Sequence, residues 1–134
     1  MSTNSNLIKE LRSKTGAGML DCKLALDENN NNLTKAIDWL RKKGLSLASK
    51  KSGRIAAEGL IGVCIQENLA CMIEVNSETD FVSRNEVFQN FVQSCSLLSL
   101  RANSDVNVLN KLKFENSDNT VKEELTKNIA KIGE

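Results

Sequence analysis

Two apolar runs constrain this chain more than any other feature. Leu60-Ile61-Gly62-Val63-Cys64-Ile65 and Leu69-Ala70-Cys71-Met72-Ile73-Glu74-Val75 are rich in β-branched residues and are separated only by Gln66-Glu67-Asn68. That separation suits a tight antiparallel turn, so the pair reads as a β-hairpin. Both strands carry apolar residues on alternate and intervening positions, so each face needs some cover. A hairpin by itself is marginal in water, which obliges the neighbouring segments to pack against it.

Those neighbours are helical by period. On the N-terminal side, Leu7, Ile8 and Leu11 lie at helical spacing, with Ser5 or Asn6 placed to cap them. Thr15-Gly16-Ala17-Gly18 reads as a turn, because two glycines in four residues favour backbone freedom over a helix interior. Leu20, Leu24 and Ala25 mark a second apolar face, which ends at Asn29-Asn30-Asn31-Asn32, a loop and N-cap signal. Leu33, Ala36, Ile37 and Leu40 form a third stripe with Trp39 beside it. Lys42 and Lys43 followed by Gly44 fit the end of that helix. Met19, Leu20, Arg12 and Lys23 gather around the glycine turn, where Met19 suits either the core or the surface.

On the C-terminal side, Val87, Phe88, Phe91, Val92, Cys95 and Leu98 make one stripe able to lie across the hairpin. Ala102-Asn103-Ser104 ends it, Asp105 is placed to cap a short helix containing Val108, Leu109 and Leu112, and Ser117 or Asp118 opens a last one along Val121, Leu125, Ile129 and Ile132. The expected fold is α+β and mostly helical. A three-helix module covers residues 1–44, a basic linker 45–57, and a hairpin packed against helices 58–134.

Between the second strand and the long helix lies Asn76-Ser77-Glu78-Thr79-Asp80-Phe81-Val82-Ser83-Arg84-Asn85. Ser83 and Glu86 fit a capping box, with Val82 and Val87 at the staple positions. In that register Val82 fixes the entry to the helix, and Phe81 either folds back onto the core or projects from the tip.

Charge is asymmetric although the net is +1. Residues 1–54 hold 11 Lys/Arg against 5 Asp/Glu, and residues 55–134 hold 7 against 12, an asymmetry expected of two modules with different partners or faces. Residues 41–54 contain six basic side chains and no acid, but no aromatic residue is interleaved to stack bases, so no direct nucleic-acid contact is expected. The chain has no histidine, and Cys22, Cys64, Cys71 and Cys95 show no C-x-x-C spacing. Neither a metal site nor a cofactor is read from these residues. Glu78 with Asp80, or Glu123 with Glu124, would be paired carboxylates lacking any further catalytic partner, so the reading is not an enzyme. No apolar run approaches the ~18 residues of a membrane span, and the start of the chain lacks a signal-peptide pattern. The expected location is cytoplasmic, with no membrane partner.

Leu11-Arg12-Ser13-Lys14-Thr15-Gly16-Ala17-Gly18-Met19-Leu20-Asp21-Cys22-Lys23 closely resembles the N-terminal signature of the bacterial elongation factor Ts family. Glu74-Val75-Asn76-Ser77-Glu78-Thr79-Asp80-Phe81-Val82 resembles its second signature, and Ala130-Lys131-Ile132-Gly133-Glu134 resembles a third. The resemblance implies a guanine-nucleotide exchange factor for elongation factor Tu, the GTPase that brings aminoacyl-tRNA to the ribosome. It implies that the first module is a ubiquitin-associated-like bundle docking on the GDP-bound GTPase through Arg12, Met19, Leu20 and Lys23. It further implies that Thr79, Asp80, Phe81 and Val82 form the exchange loop, in which Asp80 and a projecting Phe81 wedge near the magnesium site. Ile132 and Gly133 match further contact positions. Family members commonly have methionine where this chain has Leu20. They also continue into a third strand, and many into a related second half, so residues 58–134 read as part of the family's dimerisation-type domain. The alternative reading is a docking-only fragment, or a general protein- or RNA-binding three-helix module without exchange activity.

Overall fold

The computed structural model describes residues 5–134, and Met1–Asn4, where the leader pattern was sought, lie outside the described residues. Six α-helices and one two-stranded antiparallel sheet make up these residues, in the order α1 (Ser5–Thr15), α2 (Met19–Glu28), α3 (Leu33–Lys51), β1 (Glu58–Gln66), β2 (Leu69–Ser77), α4 (Glu86–Ser99), α5 (Val106–Lys111) and α6 (Val121–Ile132). The fold is thus mostly helical α+β. It divides into two compact units, one reaching Ser52 and including residues 129–133, the other holding residues 53–128 and Glu134.

In the first unit α1, α2 and α3 pack around Leu11, Cys22, Ala25, Leu26 and Ala36, with Leu7, Ile8, Ile37, Trp39 and Leu40 at the margin. The turn after α1 uses Gly16 at φ +69°, where a glycine adopts the left-handed backbone at no steric cost. Its N–H closes on the Arg12 carbonyl at 2.8 Å. Asn30 and Asn31 take left-handed backbone at φ 51° and 59°. Asn32 then caps α3 by accepting the Lys35 N–H at 3.0 Å.

Three local expectations are corrected here. α1 already includes Ser5 and Asn6, which therefore lie in its first turn rather than before it. α2 buries Cys22, Ala25 and Leu26, while Leu20 and Leu24 are exposed. Its inner face is narrow, made of Cys22, Ala25 and Leu26. Nor does α3 stop at Gly44. It runs on to Lys51, and Gly44 is buried; a β-carbon there would lie in ordinary contact, 3.4 Å from the Ala130 methyl. The pattern of lysines before the glycine mimics a helix end.

In the second unit β1 and β2 pair from Glu58↔Ser77 to Gln66↔Leu69. The turn is Glu67-Asn68 alone, with Glu67 at φ 50°, so Gln66 belongs to the strand. α4 covers one sheet face. Gly62 permits this, since a β-carbon there would meet Val92 Cγ1 at 2.9 Å and Ser96 Cβ at 3.1 Å. On the other face Ile61, Val63, Ile65 and Met72 are exposed. The core joins Phe91, Cys95 and Leu98 of α4 to Ala102, Leu109 and Val121. Phe114 stacks on Phe91 with ring centroids 5.6 Å apart.

Of the next two helix starts, one differs from expectation. Asp105 caps α5 as read, accepting the Asn107 N–H at 2.8 Å. α6 opens later than Ser117 or Asp118, at Val121, after Lys113 and Thr120 bridge across a turn. Thr120 and Glu123 form a reciprocal capping box there. The Thr120 N–H donates to the Glu123 carboxylate at 2.8 Å, and the Glu123 N–H donates to the Thr120 hydroxyl at 3.3 Å. Leu125 is 36% exposed and Asn128 is buried in its stead, its side-chain amide donating to the Glu124 carbonyl at 2.9 Å.

Candidate partner-contact surfaces

The segment from Ser77 to Asn85 is stiffened by hydrogen bonds at both ends. The Ser77 hydroxyl donates to the Thr79 carbonyl at 2.8 Å. The Thr79 N–H and hydroxyl both donate to the Glu134 carboxylate, at 2.9 and 2.6 Å. Glu78 is paired with Arg54 at 3.1 Å, which occupies one member of the supposed carboxylate pair in an ion pair.

After Thr79 the backbone enters a 3-10 turn over Val82–Arg84. The N–H groups of Ser83, Arg84 and Asn85 donate to the carbonyls of Asp80, Phe81 and Val82. The capping box at Ser83 and Glu86 is absent. Asn85 is the N-cap instead, its side-chain oxygen accepting the Val87 and Phe88 N–H groups at 2.9 and 3.3 Å. Ser83 turns its hydroxyl to the Gly59 carbonyl at 3.3 Å. Two acceptors compete for one helix start, and the one that also leaves Ser83 bonded to the hairpin prevails. In this register Glu86 is the first helical residue, so Val82 and Val87 no longer occupy staple positions.

This turn separates the two hydrophobic neighbours. Val82 is buried at 6% exposure, whereas Phe81 is 77% exposed and Asp80 beside it is also exposed. Of the open alternatives for the ring, projection is the one realised. Thr79 is half-buried against Glu134, a residue that the loop reading did not single out. The only sequence signal for it was its place at the end of the Lys-Ile-Gly-Glu stretch.

In the first unit Met19 is 60% and Leu20 77% exposed at the start of α2. Lys23 lies one turn on, also exposed, and Leu24 is half exposed beside them. Residues three and four apart share a helix face, so Met19, Leu20, Lys23 and Leu24 form one outward patch. Arg12 is exposed in the last turn of α1, before the Gly16 turn that leads to this helix. Behind the patch Lys43 pairs with Asp21 at 2.7 Å and lies 5.3 Å from the centre of the Trp39 ring. Ile132 is half-buried, and Gly133, at φ +95°, accepts a hydrogen bond from the Lys51 ammonium through its carbonyl.

Two cysteines belong to the cores and are chemically subdued. Burial pushes the Cys95 thiol up to about 12 from 9.0. Burial also raises Cys22, against a smaller opposing effect of the Thr15 hydroxyl. Among the described residues no helix is long and apolar enough to cross a membrane.

Exposed apolar side chains at the start of α2 and in the loop before α4 define a module with candidate surfaces for contact. Comparison with known proteins specifies it further. Residues 78–134 match the family model described as Elongation factor TS. Over 128 residues the chain is 56% identical to Elongation factor Ts of Rhodospirillum centenum, covering 96% of this chain and 42% of that relative. It is 53% identical over 128 residues to Elongation factor Ts of Methylorubrum populi, with the same two shares covered. It is also 53% identical over 130 residues to that of Xanthobacter autotrophicus, covering 97% of this chain and 42% of the relative. The chain is a homologue of the bacterial elongation factor Ts proteins, and it spans about two-fifths of the length of the curated relatives it matches.

Proposed function

We propose that this chain promotes GDP release from elongation factor Tu, acting in the cytoplasm as a guanine-nucleotide exchange factor of translation elongation rather than as an enzyme. The observation that carries the reading is Phe81, a large apolar ring held 77% exposed at the tip of a hydrogen-bonded loop. Leaving such a ring in water forgoes about 1.5–3 kcal/mol, a loss that a partner's pocket recovers.

In this reading Asp80 and Phe81 enter the GTPase near its magnesium site and disturb the contacts that hold metal and phosphate. Val82 anchors the loop from inside, and Thr79 tethers it to Glu134. Arg12, Met19, Leu20 and Lys23 dock the first unit on the GTPase, and Ile132 and Gly133 add contacts. Accelerating release about a thousandfold requires about 4 kcal/mol of preference for the nucleotide-perturbed state. That exceeds what one phenylalanine supplies, so docking must hold the ring in place. The excess of basic residues in the first 54 positions suits an acidic surface and a faster encounter.

A second reading, docking without exchange, is favoured by one observation: the Met19–Leu20 patch and Phe81 belong to different units, so the first can bind without the second acting. Release of a fluorescent GDP analogue from elongation factor Tu decides between them. Acceleration by the chain, lost in Phe81→Ala, supports exchange. Binding of the chain with release no faster than in buffer leaves docking alone.

A further inference from the structure

Cys64 and Cys71 stand directly opposite one another in the β1–β2 register. Both are free thiols and half-buried, in contrast to the buried Cys22 and Cys95. Their side chains share the sheet face covered by α4, and the Cys71 thiol donates to the Ser96 carbonyl at 2.8 Å. Opposed residues of an antiparallel pair have Cα atoms about 4.5–5.5 Å apart, within the range of roughly 4.4–6.8 Å spanned by disulfides. Their Cβ atoms, about 4.5–5.5 Å apart in such pairs, need only a small closing movement to reach the roughly 3.5–4.5 Å of a disulfide.

We infer that Cys64 and Cys71 form a thiol–disulfide exchange site, a cross-strand dithiol that low-molecular-weight disulfides such as glutathione disulfide close into an intramolecular bond. The thiolate of one cysteine attacks a sulfur of the reagent, forming a mixed disulfide and releasing one reagent thiolate, which takes up a proton. The second cysteine gives its proton to solvent and attacks the protein sulfur of that mixed disulfide. The second reagent thiol then leaves. Two protein thiols are oxidised to one disulfide, and one reagent disulfide is reduced to two thiols.

The bond exchanges one connection of the fold for another. The Cys71 proton that held β2 to the Ser96 carbonyl is lost, and β1 becomes covalently joined to β2. Cys22 and Cys95 take no part in the proposed site: each is buried in a separate core whose packed residues include no second cysteine.

The test uses the whole folded chain and glutathione disulfide in excess at mildly alkaline pH, followed by alkylation, intact-mass measurement and peptide mapping without reduction. The expected product is a monomer lighter by two hydrogens, with the Cys64 and Cys71 peptides linked and the other two cysteines alkylated only after denaturation. Cys64→Ser and Cys71→Ser are each expected to stop at a mixed disulfide on the remaining partner. The wild-type map decides even if a serine variant folds poorly. A lasting glutathione adduct on Cys64 or Cys71, a cross-link between chains, a different pairing, or no reaction would overturn the assignment.

Discussion

Glu134 and Thr79, 55 positions apart, are joined twice: the Glu134 carboxylate accepts the Thr79 backbone N–H at 2.9 Å and its hydroxyl at 2.6 Å. The tether lies immediately before the exposed Asp80-Phe81 pair. Glu134→Ala removes both acceptors, at a cost of about 1.5–3 kcal/mol in local stability for hydrogen bonds to a charged group. Amide hydrogen exchange at Thr79 is expected to accelerate by roughly ten- to a hundredfold on that scale. Exchange unchanged at Thr79 would show that the tether does not order the loop.

Phe81 and Phe91 should separate function from folding. Phe81→Ala touches an exposed ring and is expected to move the urea midpoint by less than about 0.5 kcal/mol in stability terms. Phe91→Ala opens a cavity beside Cys95 and Phe114 and should cost about 3–5 kcal/mol. Similar losses for both would mean that Phe81 packs in solution.

The helix start at Asn85 is testable against its competitor. Asn85→Ala removes the acceptor for two N–H groups and should cost about 0.5–2 kcal/mol. Ser83→Ala removes a single hydroxyl bond to Gly59 and is expected to cost less. Denaturation of the two variants side by side reverses this order if Ser83 is the true cap.

Gly62 lies where α4 crosses β1. In Gly62→Ala the new methyl meets Val92 and Ser96 at about the closest possible contact, and the crowding should destabilise by about 1–3 kcal/mol. Gly62→Ala/Val92→Ala is expected to recover part of that loss; a strictly additive double variant would contradict the contact.

Alkaline pH should weaken the second unit through Cys95. Its folded thiol holds its proton up to about 12 against 9.0 for the ordinary group, so the native state binds more protons than the unfolded one between these values. The stabilisation is fully present below the unfolded value and is lost as pH rises through the folded one. The slope approaches ~1.4 kcal/mol per pH unit. Cys95→Ala is expected to flatten the decline of stability between pH 9 and 10.5, within that same window, in urea melts; an unchanged slope would place its cause elsewhere.

Local patterns and distant contacts divide what was readable. The apolar runs around Gln66-Glu67-Asn68 determined a hairpin, because short strands joined by so short a turn have one compact arrangement. The period of Val87 to Leu98 determined a helix with one buried face, and the two long signature stretches pointed to the family. Alternation and period are local properties, and side-chain burial enforces them wherever a core forms. Only the tertiary structure decided which of Ser83 and Asn85 caps α4, since both satisfy the local rule and Gly59 of the hairpin breaks the tie. It also decided that α3 continues through Gly44, which is buried, and that Phe81 projects while Val82 is buried. The bond from Thr79 to Glu134 belongs to the same class. No pattern in ten or twenty residues encodes a partner 55 positions away, because which polar groups meet depends on how the packed elements bring them together.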